Sequence, residues 1–179
     1  MGIETWDAGR YPTGTGSETH IMRRKDKEIR DLAHIWDIIQ DSEVCRLGLA
    51  RDGMPYIVPV SFGYDAEALY FHTAREGKKI TYIEANPIVC FEFERQVQLV
   101  SSADDPCHWT FSFQSVIGYG TVQELVAPVD KMYGLRRIVE HYAAGHPWKA
   151  GATALDGIRV WKVCIECLTG KQSKDQTGR

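Results

Sequence analysis

The chain has 179 residues, of which 44% are hydrophobic and 25% charged, with a formal net charge of -3. That length buries one sizeable core, and the mild acidity removes any non-specific pull toward nucleic acid or anionic membrane. No apolar run approaches the roughly 20 residues of a membrane-crossing helix, and the first 20 residues lack the apolar region of a secretory signal, so a cytoplasmic location is expected.

Residues 1–21 are rich in Gly, Thr and Ser without apolar period and are expected to form a flexible leader. The basic run Arg23-Arg24-Lys25-Asp26-Lys27 then leads into a first helix. Its apolar residues Leu32, Ile35, Trp36, Ile38 and Ile39 recur every three to four positions, and Asp31 is its N-cap. Cys45 to Ala50 reads as a strand, Asp52-Gly53 as a tight turn, Tyr56 to Phe62 as a second strand and Ala68 to Thr73 as a third. Together they predict an antiparallel meander. A short helix follows Gly77 and stops at Asn86-Pro87. Ile88 to Phe93 and Val116 to Glu124 supply two more strands, separated by a polar loop at 101–106. A second amphipathic helix spans about Val129 to Ala143, through Met132, Tyr133, Leu135, Ile138, Val139 and Tyr142. After a loop at 146–156, Arg159 to Leu168 closes the pattern, and 174–179 form a flexible tail. Six short, mostly antiparallel strands with helices outside predict one mainly β (α+β) domain over 22–173, built as a small barrel.

Five cysteines with irregular spacing include one formal C-x-x-C, Cys164 and Cys167. The pair sits in an alternating strand, where residues three apart face opposite ways, and no second pair completes a zinc set. Reduced thiols and no metal are the expectation. The clearest chemical signal lies in Thr73-Ala74-Arg75-Glu76-Gly77-Lys78-Lys79-Ile80, where a strand turns into a helix at a glycine and two lysines. Cations at a helix start oppose its dipole unless an anion compensates, and the free N–H groups there suit a phosphate. A solvated surface turn is the alternative. Ile57-Val58-Pro59-Val60-Ser61-Phe62 suits a wall for a flat ring. Pro59 lacks a ladder donor and predicts an edge or bulge on its side of the strand. His72 alternates with Phe71 and is either a satisfied structural group or a proton donor beside a cofactor.

The ordered string 44–49, 55–64, 69–72 and Gly77-Lys78-Lys79, with Ser115 to Gly120 and Ile165 to Lys171, resembles the pyridoxamine 5′-phosphate oxidase-like flavin proteins. Within them it is most similar to the 5-nitroimidazole-resistance group, over about Met22 to Ser173. The resemblance implies an FMN-binding split β-barrel that forms a homodimer with flavins at the interface. It implies that Val58, Pro59, Val60 and Ser61 line the isoalloxazine, that His72 and Thr73 adjoin it, and that Lys78 and Lys79 hold the phosphate. Ser115 and Trp161 would reach the flavin from the partner chain. It further implies a flavin-dependent oxidoreductase acting on nitro compounds, with NAD(P)H as electron donor and His72 as the catalytic group. The chain departs from the vitamin B6 oxidases in lacking an Arg-rich C-terminal clamp, and 97–109 read as an insert. The alternative is a flavin- or haem-binding barrel without turnover, with His72 or His108 as axial ligand.

Overall fold

The structure, a computed structural model, describes residues 22–101, 109–147 and 155–173. The expected leader and tail, most of the 101–106 and 146–156 loops, and His108 lie outside the described residues.

Two-residue β1 (Glu28–Ile29) precedes α1 (Leu32–Asp41), whose N-cap Asp31 accepts from the Ala33 amide at 3.0 Å. Ile35, Ile38 and Ile39 are buried, whereas Leu32 at the first position is exposed. β2 (Cys45–Arg51) and β3 (Met54–Val60) form a hairpin turned by Asp52 and Gly53, both at positive φ, the two-residue turn that fits strand twist. β4 (Gly63–Tyr64), β5 (Ala68–Ala74), α2 (Lys78–Ala85), β6 (Ile88–Val100), β7 (Thr110–Leu125), α3 (Pro128–Tyr142) and β8 (Ile158–Gln172) follow. The sheet order is β3-β2-β6-β7-β8-β5-β4, with β1 on β8 and every pairing antiparallel. Six strands are long and two are two-residue additions. The fold is the expected mainly β split barrel, its strand order ending at β3 on one side and β4 on the other.

Three expectations change. The predicted meander stops after its first hairpin, because β5 pairs with β8 and β4 and never with β3. The second strand ends at Val60, leaving Ser61 and Phe62 beyond it. β6 and β7 run much further than read, to the pair Val100↔Thr110, because polar alternation in a solvated ribbon carries no apolar signature.

The core gathers Leu47, Phe62, Leu69, Phe71, Phe91, Phe93, Val116 and Trp161 with the buried face of α1 and Ile80 and Ile83 of α2. A smaller cluster of Ala68, Tyr70 and Ile138 seats α3 on the outer side of β5 and β8. Gly63 makes that seat possible, since a Cβ there would sit 2.2 Å from the Arg137 backbone. Gly134 and Ile138 are the buried points of α3, while Tyr133 and Tyr142 of its predicted apolar face are exposed, as is Val129 in its first turn.

The C-x-x-C pair is also placed differently. Tyr119 pairs with Cys167 and Gly120 with Ile165, so Glu166 is an extra residue, a bulge, in β8. Cys164 and Cys167 therefore oppose Thr121 and Tyr119, two positions apart, and share one face. Burial raises the thiol pKa of Cys167, and that of Cys90 beside Tyr119, which keeps both protonated. The four described cysteines are free, and among the described residues no group of three potential ligands could hold a metal.

Candidate functional site

β5 ends at Ala74, and three residues later Gly77 caps α2 at φ 143°, a backbone conformation that L side chains avoid. No side chain caps this helix and its first turn holds no acid, while Lys78 and Lys79 occupy its first two positions. Two cations thus stand where the helix dipole disfavours them, beside backbone donors that no side chain satisfies. A Cβ at Gly77 would meet nothing within 4 Å, so space above the helix start is open.

Both lysines are steered by aromatic rings. The Lys78 Nζ lies 4.7 Å from the Tyr56 ring centroid of β3 and 5.6 Å from that of Tyr82, one helical turn on. The Lys79 Nζ lies 5.8 Å from the ring of Phe71, and burial lowers its pKa. His72 stays exposed while Phe71 enters the core. Although the residue is exposed, partial desolvation of its ring by the surrounding protein, then the charge of Lys79, lower the His72 pKa and favour the neutral imidazole. The basic pair, His72 and the β3 wall therefore meet at the open side of the barrel.

β3 ends the sheet, as Pro59 predicts, and Pro55 and Pro59 alternate on it opposite Ala50 and Arg46. Prolines have no donor for β2, so backbone groups at 55, 57 and 59 turn toward the open edge, with the Ile57 N–H as the donor among them. Val60 is buried and Val58 half-buried on the inner side, while Pro59 and Ser61 are exposed.

Thr73 and Trp161 have a different setting. Trp161 is 3% exposed and its Nε1–H donates to the Thr73 Oγ1 at 3.0 Å, while the Thr73 hydroxyl donates to the Ala74 carbonyl. The indole lies nearly parallel to Phe71, with Arg159 4.5 Å from its ring. This pair braces the strand end that carries His72. Arg159 extends the brace, reaching Glu84 of α2 at 2.7 Å and Glu124 of β7 at 2.5 Å. Ser115 stands apart: His72 aligns through Val160 with Leu125, ten residues along β7 from Ser115, about 33 Å of strand.

Sequence reasoning missed Tyr56, Tyr82 and Arg159. Tyr82 carries a legible signal, four residues after Lys78 on one helix face; Tyr56 and Arg159 arrive only through tertiary packing.

The donor set fits a phosphate: an uncapped helix start, a glycine with open space above it, and two lysines without acidic neighbours in that turn. An FMN held there would supply hydride and electron chemistry, with Lys78 and Lys79 on its phosphate and the β3 edge along its ring.

A comparison with curated proteins returned no match. Among solved structures, the chain is similar to a candidate 5-nitroimidazole antibiotic resistance protein from Bacteroides thetaiotaomicron, with 31% identity and a TM-score of 0.72 over 81% of this chain and 86% of that one. It shares its fold with the flavocytochrome Anf3 from Azotobacter vinelandii, at 19% identity and a TM-score of 0.75 over 90% of this chain and 76% of that one. The fold also matches a FAD and haem binding protein from Mycobacterium smegmatis, at 16% identity and a TM-score of 0.74 over 83% and 74% of the two chains. The family described as pyridoxamine 5′-phosphate oxidase matches residues 31–172, most of the chain, and the protein belongs to that family.

Proposed function

We propose that the protein is an FMN-dependent oxidoreductase that reduces nitroaromatic compounds of the 5-nitroimidazole type, working as a cytoplasmic homodimer with NAD(P)H as electron donor. The observation that carries the flavin reading is the uncapped start of α2, where Gly77, Lys78 and Lys79 adjoin His72 and the open edge of β3. The 31% identity to a candidate nitroimidazole resistance protein supports the substrate class. In this reading Lys78 and Lys79 bind the phosphate, while Val58, Pro59, Val60, Ser61 and the Ile57 amide border the ring. His72 is the catalytic group, neutral at neutral pH and able to give or accept one proton at the substrate. Thr73 and Trp161 position it by fixing the end of β5, and Ser115 would act only across the dimer.

The test is an FMN titration followed by fluorescence quenching. The wild type should bind FMN stoichiometrically and show flavin absorbance, and Lys78→Ala/Lys79→Ala should weaken binding at least about 100-fold, as expected for two charge-assisted contacts. Binding unchanged in the double variant would overturn the phosphate assignment. A flavin-loaded protein that NAD(P)H and a nitroimidazole leave unreacted would overturn the substrate class.

A further inference from the structure

At the far end of β5 from the lysines, α1, β4 and α3 border an open pocket of about 510 Å³. Trp36 and Tyr64 both line it, their ring centroids 5.8 Å apart and their planes 22° from parallel. The His141 ring stands edge-on to Tyr64; its Nε2–H donates to the Ser42 carbonyl and burial lowers its pKa, so it brings no charge.

The charges around these rings are unbalanced. Arg137 is the cation among the lining residues, and its Nη2 is 2.5 Å from Glu140 of the same helix, which neutralises it. Asp65 is held by the Glu67 and Ala68 amides and the Tyr70 and Tyr133 hydroxyls, all neutral donors; burial pushes its pKa up, and these bonds together outweigh that and lower it. Among the described residues no cation pairs with it. Asp37 and Asp41 of α1 add negative field at Tyr64, although Asp41 is itself bridged to Arg95. Aromatic rings beside net negative charge are the environment that attracts a positive group to ring faces.

We propose that this pocket binds a small organic cation, an aromatic or quaternary amine, against Trp36 and Tyr64, with Asp65 as counter-charge. The site lies outside the flavin region and does not depend on the function proposed above.

The experiment is calorimetric titration with benzyltrimethylammonium, run on FMN-free and FMN-loaded protein, with benzoate as the anionic control. The expected result is saturable one-site binding with a Kd of about 1 mM or tighter, equal in both forms, and no binding of benzoate. Trp36→Leu removes the best ring face, and Glu140→Gln releases the charge of Arg137. Each should weaken binding at least about five-fold. Glu140 is on the surface, so its variant tests the idea even where Trp36→Leu loosens α1. No saturation of the wild type by about 10 mM, or insensitivity to both substitutions, overturns the proposal. Displacement by FMN overturns it by assigning the probe to the flavin region. Preferential binding of benzoate overturns it in favour of the buried Arg137 Nε, which has no acceptor among the described residues.

Discussion

At the residue scale, Trp161 and Thr73 show how one buried hydrogen bond supports a site it does not touch. The indole donor is inside the core, and the Thr73 hydroxyl is its partner. Thr73→Val keeps the shape of the side chain and strands that donor, at a cost of about 1–3 kcal/mol. Chemical denaturation should register the loss, and Thr73→Ser, which keeps the oxygen, should recover most of it. An unchanged midpoint in Thr73→Val would mean that Trp161 finds water or another acceptor. The sequence made both residues visible as strand positions, and the family resemblance implied that Thr73 adjoins a flavin and that Trp161 reaches it from a partner chain. It could not show that they bond to each other, because Thr73 pairs in register with Arg159 and reaches Trp161 only diagonally across two strands. The lysines were legible for the opposite reason: their signal is local, a glycine and two cations at a helix start.

At the scale of elements, α1, both helix ends and the β2–β3 hairpin were readable because caps, turns and 3.6-residue periodicity act within a few residues. The bulge at Glu166 was not, since nothing in a single strand marks where its neighbour skips a residue, and it reversed the facing of the C-x-x-C pair. The docking of α3 on the sheet was equally hidden, and the tie of its end to the residue after α1 is a titratable group. His141 of α3 bonds the Ser42 carbonyl at the end of α1 and lies 4.3 Å from the Phe62 ring. Burial lowers its pKa, so the unfolded chain binds the proton more readily than the folded one. Stability should therefore fall as pH drops through about 6.5, the unfolded value, and level off below the lower folded value. In His141→Gln, which keeps a donor for Ser42 without the titration, the slope of melting temperature between about pH 7 and 5 should shrink. His72, lowered in the same sense, should leave part of it. A slope identical to that of the wild type would remove His141 as its source.

At the scale of the molecule, strand register arranges the outer face of the sheet in rows. One row reads Pro59, Arg46, Glu92, Ile117 and Thr169; the next reads Ile57, Gly48, Cys90, Tyr119 and Cys167 and is uncharged throughout. Ile57 is 70% and Ile117 41% exposed within a single chain. An uncharged band across five strands, with exposed Ile57 at its end and exposed Ile117 in the adjacent row, suits burial against a second copy in a two-fold dimer. Such a dimer would also give Ser115 its only route to a flavin, since about 33 Å of β7 separates it from the His72 row in its own chain. Light scattering should therefore give twice the 20.3 kDa of the chain for the wild type. Ile57→Lys/Ile117→Lys places one charge on the band and one in the row beside it, so it should give a folded monomer with an unchanged far-ultraviolet dichroism spectrum. FMN affinity should drop with the dimer, because only half of the ring's surroundings would remain. A monomeric wild type, or a double variant that remains dimeric, would move the interface elsewhere. A monomeric variant that binds FMN at full strength would show that Gly77, Lys78, Lys79 and the β3 edge hold the flavin unaided.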